Sequence, residues 1–230
     1  LCGEYLSPEA SRILDRLGVL KALDEAGAVP LRGMKITAPD GTLLVGEYPT
    51  DGPWRGYRDY ALALPRLVFD QVLLERVKAS SVEVRERHRV TDLLLDGDRV
   101  VGVTGMDAGG NAFEVRTRLT IAADGRNSVA AHRLGLLRPH RLHRFALLMY
   151  VEGIEGFEGH GEIYVDPPDY AILNSVAPGQ VNLSLVVPSD HAAPYGGRLE
   201  AFFFGRLKLL VLLRPRVEPM RQLGPVGALG

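Results

Sequence analysis

With 230 residues, 46% of them hydrophobic, the chain can fill one sizeable packed domain or two small ones. Its 27 basic and 28 acidic side chains nearly cancel, which argues against wholesale binding to nucleic acid or to an acidic membrane surface. One cysteine, Cys2, excludes an internal disulfide framework and fits a reducing compartment.

No signal peptide is visible. The most apolar late stretch, "FFFGRLKLLVLL", is interrupted by Arg206 and Lys208 and is too short to span a bilayer. A soluble, cytoplasmic protein without an integral membrane segment is expected. The chain opens on Leu1 rather than methionine, as a piece of something longer would.

In chain order, Ser7-Pro8-Glu9 predicts a helix start, with a capping hydroxyl, proline at the first helical position and an acid near the positive end. Ile13, Leu14 and Leu17 follow at helical spacing, Gly18 interrupts, Leu20 and Leu23 resume, and Gly27 closes the pattern. "MKITAPDGTLLVGEY" predicts a hairpin turning at Asp40-Gly41. "PTDGPWRGYRDYA" reads as a loop. Pro65 and Arg66 open a second long helix whose inner face should include Leu67, Val72, Leu73 and Val77.

From Val82 the apolar period becomes two, and "VEVRERHRV", "TDLLLD", "RVVGVTGM" and "AFEVRTRLTIAA" predict four strands, the last ending at Asp124. A short helix from about Ser128 to Leu134 follows. After Arg144, "FALLMYVEGI", "GEIYVD", "YAILNSVAP" and "QVNLSLVVP" predict four antiparallel strands, then a helix over roughly residues 197 to 213. The expected division is therefore an α/β part over 1–144 and a β-rich part over 145–230.

The turn Asp124-Gly125-Arg126-Asn127-Ser128 concentrates the chemistry. Gly125 permits a tight turn and close approach to a ligand. Asn127 or Ser128 can cap the helix that follows, whose free N–H groups attract anions. Arg126 adds a cation, and Asp124 can accept from sugar hydroxyls. An ordinary strand-to-helix turn with a good cap has the same spacing, and no G-x-G-x-x-G occurs anywhere in the chain.

"LTIAADGRNSVAAHRLGL" resembles the Asp-Gly motif of the geranylgeranyl reductase and aromatic-ring hydroxylase (flavoprotein monooxygenase) superfamily. "CGEYLSPEASRILDRLGV" resembles the segment that follows the first βαβ unit in its reductase-like branch. "LPRLVFDQVLLERVKASSVEVRERHRVTDLLLDGDRVVGV" resembles its arginine-bearing helix and β-meander, and "GEIYVDPPDYAILNSVAPGQVNLSLVVP" the strands of its substrate-side sheet. These segments cover nearly the whole chain in the family's order.

The resemblance implies an α/β (α+β) fold: a partial, Rossmann-like FAD/NAD(P)-binding domain with a β-meander, plus an antiparallel substrate-binding sheet. It places the family's glycine fingerprint upstream of residue 1 and a second Gly-Asp flavin motif beyond residue 230. It further implies FAD as cofactor, NAD(P)H as transient reductant and an apolar or aromatic small molecule as substrate. Asp124 and Gly125, with Arg126 beside them, would lie by the phosphate and ribose of the cofactor. Arg66 would lie near the ribityl-phosphate chain, and Cys2 and Gly3 near the flavin ring.

Other features carry less. The run "HRLGLLRPHRLHR" is either a contact for the phosphate of NADPH or a solvated face. His140 and His143 lack further ligands at metal-site spacing, and no G-x-S-x-G is present. Tyr150, Tyr164, Tyr170 and Trp54 line a substrate pocket or fill the core. The competing expectations are a non-catalytic module that holds an apolar ligand or partner, and a truncated, inactive flavoprotein fragment.

Overall fold

The computed structural model describes residues 4–138, 144–192 and 198–229. Two compact units emerge, one from residues 1–80 with 142–230 and the other from residues 81–141.

The larger unit is built on an eight-stranded sheet. Its long strands are β9 (Arg144–Glu152), β10 (His160–Asp166), β11 (Asp169–Ala177) and β12 (Gln180–Pro188). All four were predicted from their alternation and Gly/Pro turns. The sheet order β9-β12-β11-β10 is antiparallel throughout and continues into the hairpin β3 (Gly33–Thr37) and β4 (Leu43–Glu47), with β3 parallel to β10. The hairpin turns where expected, and Asp40 accepts the Thr42 amide at 2.9 Å. Two short strands, β13 (Arg221–Gln222) and β14 (Gly227–Leu229), add to β9 at the other edge.

Alternation along the long strands gives the sheet two different faces. Leu147, Met149 and Val151 of β9, Leu173 of β11, and Val181, Leu183, Leu185 and Val187 of β12 share one core with Phe202, Phe203 and Leu207 of α6 (Leu199–Leu207). Each such large side chain contributes about 1.5–3 kcal/mol on burial. The expected helix over 197–213 is interrupted. α6 ends at Leu207, a turn follows, and α7 (Arg214–Val217) begins with Pro215 in its first turn. Leu210 and Leu213 turn inward across that break, so core burial replaces helical continuity.

On the opposite face lies a small sheet, β1 (Tyr5–Leu6), β5 (Ala61–Ala63) and β2 (Val29–Leu31), in the order β1-β5-β2. Strand β5, at the end of the stretch read as a loop, is buried at every residue. Val176 of β11 shares a core with Leu31, Ala61 and Ala63. Helices α1 (Ala10–Arg16) and α2 (Leu20–Glu25) pack with α3 (Arg66–Lys78) around Leu14, Leu20, Leu23, Leu62 and Leu64.

Two local expectations change here. Ser7 supplies its carbonyl rather than its hydroxyl to the first turn, accepting from the Ala10 amide. On α3 the inner residues are Val68, Phe69, Val72 and Leu73, while Leu67 is 83% exposed and Val77 also faces out. These inward residues pack against the same core as Leu64, which is buried just before the helix.

The smaller unit is a three-stranded antiparallel meander, β6 (Arg89–Asp96), β7 (Arg99–Met106) and β8 (Ala112–Arg116), with the short helix α4 (Val129–Arg133) against β6. The four strands expected there are three. "VEVRERH" is not in a strand, β6 combines "RV" with "TDLLLD", and β8 stops at Arg116 rather than running to Asp124. Residues 119–123 pair with no strand among the described residues, and Leu119 and Ile121 are 74% and 82% exposed. An apolar pattern without a hydrogen-bonding neighbour cannot complete a ladder.

Gly33 marks the tightest join of the large sheet. A Cβ there would stand 1.9 Å from the Gly46 carbonyl oxygen, whereas a Cβ on Gly46 meets nothing within 4 Å. Gly33→Ala is expected to destabilise the protein by about 1–3 kcal/mol, and Gly46→Ala to stay within about 0.5 kcal/mol of neutral. Urea midpoints of the two variants check the contrast, and equal midpoints would refute it.

Candidate functional site

The Asp124 turn leads into α4 as an exposed loop. Gly125 has φ +75°, and the space its Cβ would occupy is empty, so its left-handed backbone rather than crowding calls for glycine. Ser128 is the N-cap of α4, and its Oγ accepts the Ala131 amide at 3.0 Å. The Asp124 carboxylate joins the cap by accepting the Val129 amide at 2.7 Å. The Ser128 hydroxyl, and then the Val129 amide, hold the Asp124 carboxyl below the usual aspartate range. Arg126 is exposed and makes no hydrogen bond or ion pair among the described residues.

The turn therefore already has a structural task. A carboxylate accommodates about four donors, so the cap does not exhaust its capacity for a hydroxyl. Beside it stand an open glycine turn and an unengaged guanidinium.

Arg66 lies in the larger unit, at the first residue of α3. Its guanidinium pairs with Asp70 at 2.6 Å, one helical turn on, and lies 5.8 Å from the centre of the Phe69 ring. Its backbone amide donates to Glu4 Oε1 at 2.8 Å. Cys2 and Gly3 fall outside the described residues, as do His140 and His143. In the basic run, Arg133 pairs with Asp92 at 2.5 Å and Arg144 donates to the Pro168 carbonyl at 2.7 Å.

Among the aromatic candidates, Trp54 is 85% exposed. Tyr164 packs on the main core and donates to Glu162, and Tyr150 packs beside Leu31 and Val176. Among the described residues, no three His, Cys, Asp or Glu side chains converge as for a metal, and no helix is long and apolar enough to cross a membrane.

Sequence reasoning missed a buried polar row on the sheet face away from α6. Tyr150 of β9 stands opposite Asn182 of β12, which stands opposite Asn174 of β11. Asn174, Asn182 and neighbouring Ser184 are buried. Glu4, 5% exposed, closes the row: the Tyr150 hydroxyl donates to its Oε1 and the Asn182 amide to its Oε2 at 3.2 Å. A signal was available, because Asn182 and Ser184 sit at alternate positions of an otherwise apolar strand, where each buried polar group needs a partner.

Comparison with known proteins accords with this fold. The profile of a family described as FAD binding domain matches residues 3–152. Digeranylgeranylglycerophospholipid reductase 2 of Methanopyrus kandleri is 30% identical over 200 residues, covering 84% of this chain and 46% of the relative. Digeranylgeranylglycerophospholipid reductase of Methanosarcina acetivorans is 30% identical over 154 residues, covering 65% of this chain and 34% of the relative. The chain spans less than half the length of these relatives. The flavin-dependent halogenase CmlS shares the fold over 100% of this chain and 42% of its own, with a TM-score of 0.88 at 23% identity. The order of segments read from the sequence, the matched profile and the shared fold agree: the chain belongs to the FAD binding domain family.

Proposed function

We propose that the intact protein is an FAD-dependent oxidoreductase that takes electrons from NAD(P)H and acts on an apolar or aromatic small molecule, by hydroxylation or by reduction of a double bond. The single observation that carries the cofactor assignment is the match of the FAD-binding family across residues 3–152. The names of the reductase relatives favour reduction of a prenyl-type double bond.

FAD, when bound, supplies the redox chemistry itself, and the protein contributes position, electrostatics and exclusion of water. Asp124 and the Gly125 turn would hold ribose and phosphate, with Arg126 as the counter-charge. Arg66 would meet the ribityl-phosphate chain by exchanging Asp70 for it, and Cys2 and Gly3 would face the ring. The basic run after His132 would be available to the NADPH phosphate.

In a cofactor domain of this type a glycine-rich loop cradles the pyrophosphate, and no G-x-G-x-x-G occurs in residues 1–230. Residues 1–230 expressed alone should accordingly bind FAD weakly and purify colourless. A yellow stoichiometric complex from these residues would contradict the assignment.

Two variants of the intact protein test the site. Arg66→Ala should weaken FAD binding by about ten- to a hundredfold, the worth of one charge-assisted phosphate contact. Titration of the cofactor-free variant with FAD checks this, and unchanged affinity returns Arg66 to a helix-surface role.

Asp124→Asn should lower both FAD affinity and the melting temperature, because the same carboxylate caps α4. Its folded pKa is depressed, so its stabilising share is complete above the unfolded value of about 3.9 and disappears as pH falls through the lower folded value. The variant should lose that acid-side dependence. Reduced stability with normal FAD affinity would leave Asp124 as a cap alone.

A further inference from the structure

Glu4 is a carboxylate in an unusual position. It is buried, lies just before β1, and has φ +54°, a left-handed conformation that a non-glycine residue keeps only when its surroundings hold it there. Three donors converge on it: the Arg66 amide and the Tyr150 hydroxyl on Oε1, and the Asn182 amide on Oε2. Behind Asn182, the Ser184 hydroxyl donates to Oδ1 at 2.8 Å, which turns the amide NH2 towards Glu4. Both carboxylate oxygens therefore act as acceptors, which glutamine cannot reproduce because one of its two terminal atoms is a donor.

The donors come from separate parts of the larger unit. One is the first amide of α3, one lies on β9 and one on β12. With the Val68 and Phe69 amides bonded to the Pro65 carbonyl, Glu4 takes the Arg66 amide at the start of this helix. It thus fixes where α3 begins, and with it the base of the Arg66 side chain, relative to the polar row of the sheet.

We propose that Glu4 is a positioning residue of the flavin site, joining the start of α3 and its Arg66 to the Tyr150–Asn182 row of the substrate-side sheet. The proposal rests on the assignment of Arg66 to the cofactor. The rival role, a latch that serves stability alone, uses the same hydrogen bonds and differs in what it does to bound flavin.

The test uses the intact protein with FAD and the variants Glu4→Gln and Tyr150→Phe. It measures FAD affinity, the visible absorption spectrum of the bound flavin, and the melting temperature of the cofactor-free protein. Glu4→Gln should weaken FAD binding by about tenfold and shift the flavin band, and Tyr150→Phe should shift it in the same direction with an affinity loss of about two- to fivefold. Lower melting temperatures with wild-type affinity and spectrum in both variants would overturn the proposal in favour of a latch. If Glu4→Gln fails to fold, Tyr150→Phe decides: a shifted band supports the positioning role and an unshifted one refutes it. Absence of FAD binding by the wild-type control would overturn the flavoprotein reading itself, and this proposal with it, an outcome distinct from bound flavin indifferent to the variants.

Discussion

The alternation of β9, β11 and β12 between an apolar and a polar face is the constraint on which the larger unit depends. Residues of one parity bury Leu147, Met149, Leu173, Leu183 and Leu185 under Phe202 and Phe203 of α6. The other parity carries Tyr150, Asn174, Asn182 and Ser184. A register slip of one residue would exchange these sets, leaving polar groups under α6 and leucines against the small sheet. Fixing the register therefore fixes both the core and the polar row.

That row gives the fold its asymmetry. Burying a carboxylate costs free energy unless its oxygens are matched by donors. Here the donors to Glu4 join the N-terminal segment to α3 through the Arg66 amide and to two strands distant in sequence. Apolar burial supplies most of the stabilisation, while the directional bonds specify which elements meet. The smaller unit is organised differently: among the described residues its strand pairing runs between β6, β7 and β8, and α4 sits against β6 through contacts such as Arg133 with Asp92.

Much of the architecture was legible because its causes are local. The four long strands, the hairpin at Asp40-Gly41, the break at Gly18 and the Ser128 cap each follow from periodicity or from the chemistry of one or two residues. The α3 interval was legible too, but its inner face was not, because the side that turns inward is the one that meets a core drawn from α1, α2 and β5. Predicted strands at 82–88 and 117–123 failed for a related reason. Alternation states what a segment is able to pair as, and pairing requires a neighbour.

At the site, the sequence determined the turn: Asp124, Gly125 and Ser128 dictate a left-handed step and a capped helix, and the order of segments identified the family. The bonds of Asp124 to the Val129 amide and of Arg66 to Asp70 are local too, five and four positions apart, whereas only the tertiary structure decided that Glu4 belongs with Tyr150 and Asn182. Turns and caps are encoded within a few residues, because the interacting groups are chain neighbours. The bond from Glu4 to Asn182 spans 178 positions and exists only after the sheet has set its register.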